Sequence, residues 1–151
     1  MKKDQCYIGT PNGVVLCIDT YTQGMTKGRI YHAYNKEPKE VSSLEEMILY
    51  MEDFFNQINF PFPGTEERTF RAVKKKEEQR ERMIKVMEDE ELLEKHGDIG
   101  TFIIRVQQRQ HSSWQGMVTW VDENETVSFR SALELIKLID KAIGEKDKKS
   151  E

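Results

Sequence analysis

Arg105, Gln107, Arg109 and His111 recur at every second position of one stretch, alternating with apolar Ile104 and Val106. On an extended strand such alternation places all four polar side chains on one face. Trp114 and Gln115 follow in what reads as a turn, Thr119 returns to the same side on the next strand, and Arg130 stands immediately before a helix start. Arginine offers a bidentate fork to phosphate or carboxylate, glutamine can pair with an amide or a base edge, and tryptophan supplies a flat stacking surface. Arg105, Gln107, Arg109, His111, Trp114, Gln115 and Arg130 therefore form a candidate binding set for a small anionic ligand, a protein or a nucleic acid. The same residues also suit a solvated sheet face on which arginine and glutamine pair across strands.

Other chemistry has little to stand on. His32 has no second histidine, cysteine or carboxylate at ligand spacing, which reads as a structural histidine rather than a metal ligand or a base. Cys6 and Cys17 form no clip and read as thiols in a reducing compartment. The chain has no Walker loop, no G-x-G-x-x-G, no G-x-S-x-G and no H-E-x-x-H. No cofactor, no metal and no catalytic residue is expected, and the lack of a nucleophile-base or metal constellation disfavours an enzyme.

The elements that would carry the candidate set change their period along the chain. Val14 to Tyr21 alternates, with Val14, Leu16 and Ile18 on the core face, and Gly28 to Tyr34 resumes the pattern before Pro38 ends it. At Ser43 the period becomes helical. Ser43 and Glu46 make a capping box, and Leu44, Met47, Ile48, Met51, Phe54 and Phe55 make one apolar stripe. The same events return at a constant offset of 88 positions: Gly116 falls on Gly28, Glu125 on Glu37, Ser131 on Ser43, Glu134 on Glu46 and Ile136 on Ile48. Leu135, Ile136, Ile139, Ala142 and Ile143 form the second stripe, and Gly144 reads as its stop.

Between the two segments lies a helix-favouring stretch of divided charge. Arg68 to Lys85 carries eight basic and three acidic residues, whereas Glu88 to Glu94 carries five acidic and no basic ones. Two copies laid antiparallel would be complementary, so self-association as a homodimer is expected. The segment RAVKKKEEQRERMIK could also track a phosphate backbone, but its interleaved glutamates weaken that reading. The net charge of −4 disfavours general nucleic-acid affinity. No run approaches ~18 apolar residues, and the N-terminal MKKDQCYIG lacks an apolar signal segment, so a cytoplasmic protein with no membrane partner is expected.

The run RVQQRQHSSWQG, followed by a tryptophan and then FRSALELIKLID, resembles the ends of small uncharacterised bacterial proteins that carry an S-W-Q-G … F-R-S-x-L-E-L-I pattern. The resemblance covers about the last 45 residues of the sequence. It implies a bacterial, cytoplasmic origin and transfers no activity.

The sequence thus predicts one α+β domain over residues 1–151. Two tandem strand-strand-helix repeats, about 12–55 and 100–143, would be related by pseudo-two-fold symmetry and share an antiparallel sheet covered by helices. A long charged helix over 65–96 would join them, and the tail 144–151 would be disordered. The expected function is a non-enzymatic ligand-binding or protein-interaction module, regulatory in kind. The alternative is a nucleic-acid-binding protein using the Arg105, Arg109 and Trp114 face. Binding is expected in the second half, since the first has Cys17, Asp19 and Tyr21 where the second has its arginines.

Overall fold

A computed structural model describes residues 8, 12–22, 25–58, 60, 70, 84–109 and 113–149. Its order is β1 (Val14–Thr22), β2 (Met25–His32), β3 (Asn35–Val41), α1 (Leu44–Ile58), α2 (Asp89–Leu93), β4 (Gly100–Gln108), β5 (Gln115–Trp120), β6 (Glu125–Phe129) and α3 (Ala132–Lys149). The six strands form one antiparallel sheet in the order β3-β2-β1-β4-β5-β6. The fold is therefore α+β, with each expected pair of strands extended by a third. β3 and β6 are the sheet's edges. β3 reads as loop in sequence because NKEPKEV is charged and contains Pro38, yet an edge strand needs only one ladder and tolerates proline.

Register is repeated across the sheet. Val14 lies opposite His32 and Leu16 opposite Ile30; 88 residues on, Phe102 lies opposite Trp120 and Ile104 opposite Val118. Gly28 pairs with Val41 and Ile30 with Lys39, as Gly116 pairs with Phe129 and Val118 with Val127. At the centre Val15 of β1 faces Ile103 of β4, its own counterpart at the same offset. A bulge interrupts β1 between Ile18 and Thr20, and another interrupts β4 between Val106 and Gln108. Each sits opposite a glycine that has no alternative: a Cβ on Gly28 would collide with the Cys17 carbonyl, and one on Gly116 with the Arg105 carbonyl.

The helices follow their caps. The Ser43 hydroxyl accepts from the Glu46 amide at 3.0 Å, and the Ser131 hydroxyl accepts from the Glu134 amide at 3.0 Å. Glu46 reaches back to the Ser42 amide, one residue beyond the expected partner. Glu134 instead faces Arg130 at 3.7 Å. The two apolar stripes then cover one sheet face, burying Met47, Met51, Phe54 and Phe55 of α1 and Leu135, Ile139, Ala142 and Ile143 of α3 against Val14, Leu16, Ile30, Phe102, Ile104 and Val118.

The opposite face has a core of its own. Val15, Cys17, Tyr31 and Ile103 pack with Ile8, Met87 and Leu92, so the chain before and within α2 lies over this side of the sheet. The Val86 and Met87 amides both donate to the Ala33 carbonyl, at 2.7 and 2.9 Å, and fix the segment in place. Of the linking helix expected over 65–96, the described part contains only the five-residue α2; residues 71–83, and with them most of the basic run assigned to self-association, lie outside the described residues. Gly97 and His96 do not end a long helix. A Cβ on Gly97 would meet the Ile18 backbone, and the His96 carbonyl accepts from Arg29 at 3.0 Å. Nor does Gly144 stop α3, which continues to Lys149 through most of the expected tail.

Candidate functional site

Of the seven residues singled out in sequence, the six that are described do not share a surface. Arg105 points to the α2 side of the sheet, is 2% exposed, and donates to the Thr119 hydroxyl at 3.4 Å. The bulge at Val106 and Gln108 then reverses the alternation, which sends Arg109 to the other face. There Arg109 is 3% exposed and donates from Nη1 to Glu52 at 3.1 Å and to Asn56 at 2.8 Å, both on α1, with its guanidinium over the Phe55 ring. Burial pushes the Arg109 pKa below its ordinary value, against the opposing pull of Glu52. Trp114 is core rather than turn: its ring packs edge-on to Phe55 and its indole N–H donates to Glu52 at 2.7 Å. Gln107 is exposed, Gln115 is half-buried at the start of β5, and Arg130 is 87% exposed in its side chain. His111 lies outside the described residues. Arg105, Arg109 and Trp114 are thus three buried anchors of the fold, and no exposed strand face unites them.

A different feature of the second half is concave. Between β4, β5, β6 and α3 lies a cavity of about 170 Å³, walled by Phe102, Val118, Trp120, Leu138, Ile139 and Ala142. Exposed Glu125, Lys141 and Glu145 stand at its rim. The Phe102 and Trp120 rings stack nearly parallel, 6.2 Å apart at 17°. The Trp120 indole nitrogen is withdrawn from solvent and has no hydrogen-bond partner among the described residues.

The corresponding place in the first half is full. Counting back 88 positions, Trp120 corresponds to His32, Leu138 to Tyr50 and Ala142 to Phe54. His32 is 4% exposed, and the Phe54 ring lies flat on it with centroids 3.9 Å apart at 15°. The Tyr34 amide donates to His32 Nδ1 at 3.2 Å, which leaves the ring proton on Nε2 to donate to the Tyr50 oxygen at 3.0 Å. Burial pushes the imidazole down to about 4, so it is neutral at pH 7. What Phe54 does for His32, the methyl group of Ala142 does not do for Trp120.

No family model, curated protein or solved structure matches this chain.

Among the described residues, Arg29 and Asp19 form a further polar cluster. Arg29 donates to both carboxylate oxygens of Asp19, at 2.8 and 3.0 Å, and also to Tyr31 and the His96 carbonyl; the Asp19 hydrogen bond raises its pKa. Cys17 is buried and its thiol is pushed up to about 11, which makes it a poor nucleophile. Among the described residues no group of His, Cys, Asp and Glu could hold a metal ion, and no helix is long and apolar enough to cross a membrane. Ala142, a small apolar residue on a helix stripe, advertises nothing in sequence beyond its alignment with Phe54 at the constant offset of 88.

Proposed function

We propose that the protein is a non-enzymatic ligand-binding module, built by tandem duplication about a pseudo-two-fold axis between β1 and β4, which takes its ligand in the second half at the Trp120 cavity. The duplication is supported by the repeated registers, by bulges at equivalent positions and by the glycine opposite each bulge. The binding role is carried by one observation: equivalent places hold a stacked aromatic ring in one half and a cavity of about 170 Å³ in the other. Small-molecule sites are concave, mostly apolar and supplied with a few polar groups, and the combination of apolar walls and a charged rim fits that description. The burial of Arg105, Arg109 and Trp114 favours this reading over nucleic-acid binding through those residues.

An NMR-observed screen of small neutral fragments against ¹⁵N-labelled protein tests the proposal. The expected result is that hits move the Trp120 indole N–H and the amides of Leu138 to Ala142 while leaving the Trp114 indole, tied to Glu52, in place. Hits that cluster instead around Tyr31, Arg29 or Arg130 would move the site elsewhere.

A further inference from the structure

We infer that the ligand presents a single flat aromatic or heteroaromatic ring, of about six to nine non-hydrogen atoms, to the Trp120 cavity. This rests on the cavity being the ligand site and goes further by naming what fits it. The molecule itself supplies the template. In the first half the group that fills the equivalent position is the Phe54 ring, stacked on His32 at 3.9 Å. In the second half the platform is the wider indole of Trp120, and Ala142 omits the ring that would cover it.

Size and polarity narrow the class. A cavity of about 170 Å³ is close to the engineered cavity of about 150 Å³ that accepts benzene, so one ring fits and a fused tricycle does not. Flat walls at Trp120 and Phe102 favour an aromatic over a saturated ring, since stacked pairs gain beyond their buried area. The walls at Phe102, Val118, Leu138, Ile139 and Ala142 are apolar, so the inserted part of the ligand is apolar as well. Any larger remainder of the ligand leaves past Glu125, Lys141 and Glu145.

Benzamide and cyclohexanecarboxamide carry the same acceptor on a flat and a puckered ring, and both can be titrated into the full ¹⁵N-labelled chain. Benzamide is expected to bind in the millimolar range, to shift the Trp120 ring and indole N–H resonances, and to bind about three- to tenfold tighter than the saturated amide. Ala142→Phe supplies the missing ring in cis and is expected to fold and to abolish the shift; Ala142→Leu, a smaller plug, is the second variant should the first fail to fold. Equal or tighter binding of cyclohexanecarboxamide at Trp120 overturns the aromatic assignment while leaving the cavity as the ligand site. No response of the Trp120 indole to either amide up to their solubility, or a response unchanged by a folded plug variant, overturns both.

Discussion

The guanidinium of Arg109 donates to the carboxylate of Glu52 at 3.1 Å, joining the end of β4 to α1 across the two halves of the chain. Eighty-eight residues away in each case, the Tyr21 hydroxyl donates to Asp140 at 3.4 Å and joins the end of β1 to α3. Each first strand thus reaches the other half's helix, because the bulge in each strand turns its last residues toward the helical face.

The two ties differ in burial, and so should their energetics. Glu52→Ala removes the carboxylate from the buried Arg109 and from the Trp114 N–H together. It is expected to destabilise the fold by about 2–3 kcal/mol, the cost of leaving a buried charge and a buried donor with fewer partners. Asp140→Ala breaks an exposed hydrogen bond and is expected to cost no more than about 0.5 kcal/mol. Urea denaturation of both variants measures the difference; equal losses would show that Arg109 does not depend on Glu52.

Glycine substitutions should divide just as sharply. Gly28→Ala and Gly116→Ala each drive a methyl group into a backbone carbonyl of the neighbouring strand, so both are expected to lose several kcal/mol or to fail to fold. Gly144→Ala meets nothing within 4 Å, in the interior of α3. It is expected to raise stability by about 0.5–1 kcal/mol, seen as a higher Tm. A destabilised Gly144→Ala would mean that α3 ends at Gly144 after all.

Much of this architecture is legible in the sequence. The period change at Ser43 and Ser131 marks both helix starts, and the constant offset carries the strand assignments from one segment to the other. What escapes is set by contacts distant in sequence. β3 and β6 are held by a single neighbour each, so their side chains need not alternate cleanly: β6 leaves Val127 exposed, and β3, seven residues long, is charged at Lys36, Glu37, Lys39 and Glu40. The bulge that separates Arg105 from Arg109 has no local marker; the close approach it adjoins shows only in Gly116 on the facing strand. Counting by twos past Val106 therefore assigns Arg109 to the wrong face. The second core is likewise invisible locally, because Met87 and Leu92 lie in a strongly acidic stretch and find Val15, Cys17 and Ile103 only through the fold.

His32 gives the protein a specific response to acid. Burial lowers its pKa from 6.5 to about 4, so between these values the unfolded chain binds a proton that the folded one does not. Its contribution is complete above about pH 6.5 and is lost as pH falls toward 4, a change of about 3 kcal/mol. Imidazole ¹⁵N shifts should show a neutral ring protonated at Nε2 down to pH 5. A His32 that titrates near 6.5 in the native state would refute the closed packing by Tyr34, Tyr50 and Phe54.

Reversing the asymmetry between the halves is the most direct test of what Phe54 does. Phe54→Ala removes the ring that lies on His32 and should open in the first half a space like the one beside Trp120. Truncating a buried phenylalanine typically costs about 3–5 kcal/mol, so Phe54→Leu is the milder companion if the alanine variant is too unstable to study. Two effects are expected together. The His32 pKa should rise from about 4 toward its ordinary value as water reaches the ring, because desolvation is the cause of its depression. Benzene, which needs no acceptor, should recover part of the lost stability in Phe54→Ala and leave the unaltered first half undisturbed. If His32 keeps its low pKa and benzene restores nothing, the helix has collapsed onto the sheet, and the cavity beside Trp120 would then owe its persistence to the larger side chains around it rather than to the absence of a ring at Ala142.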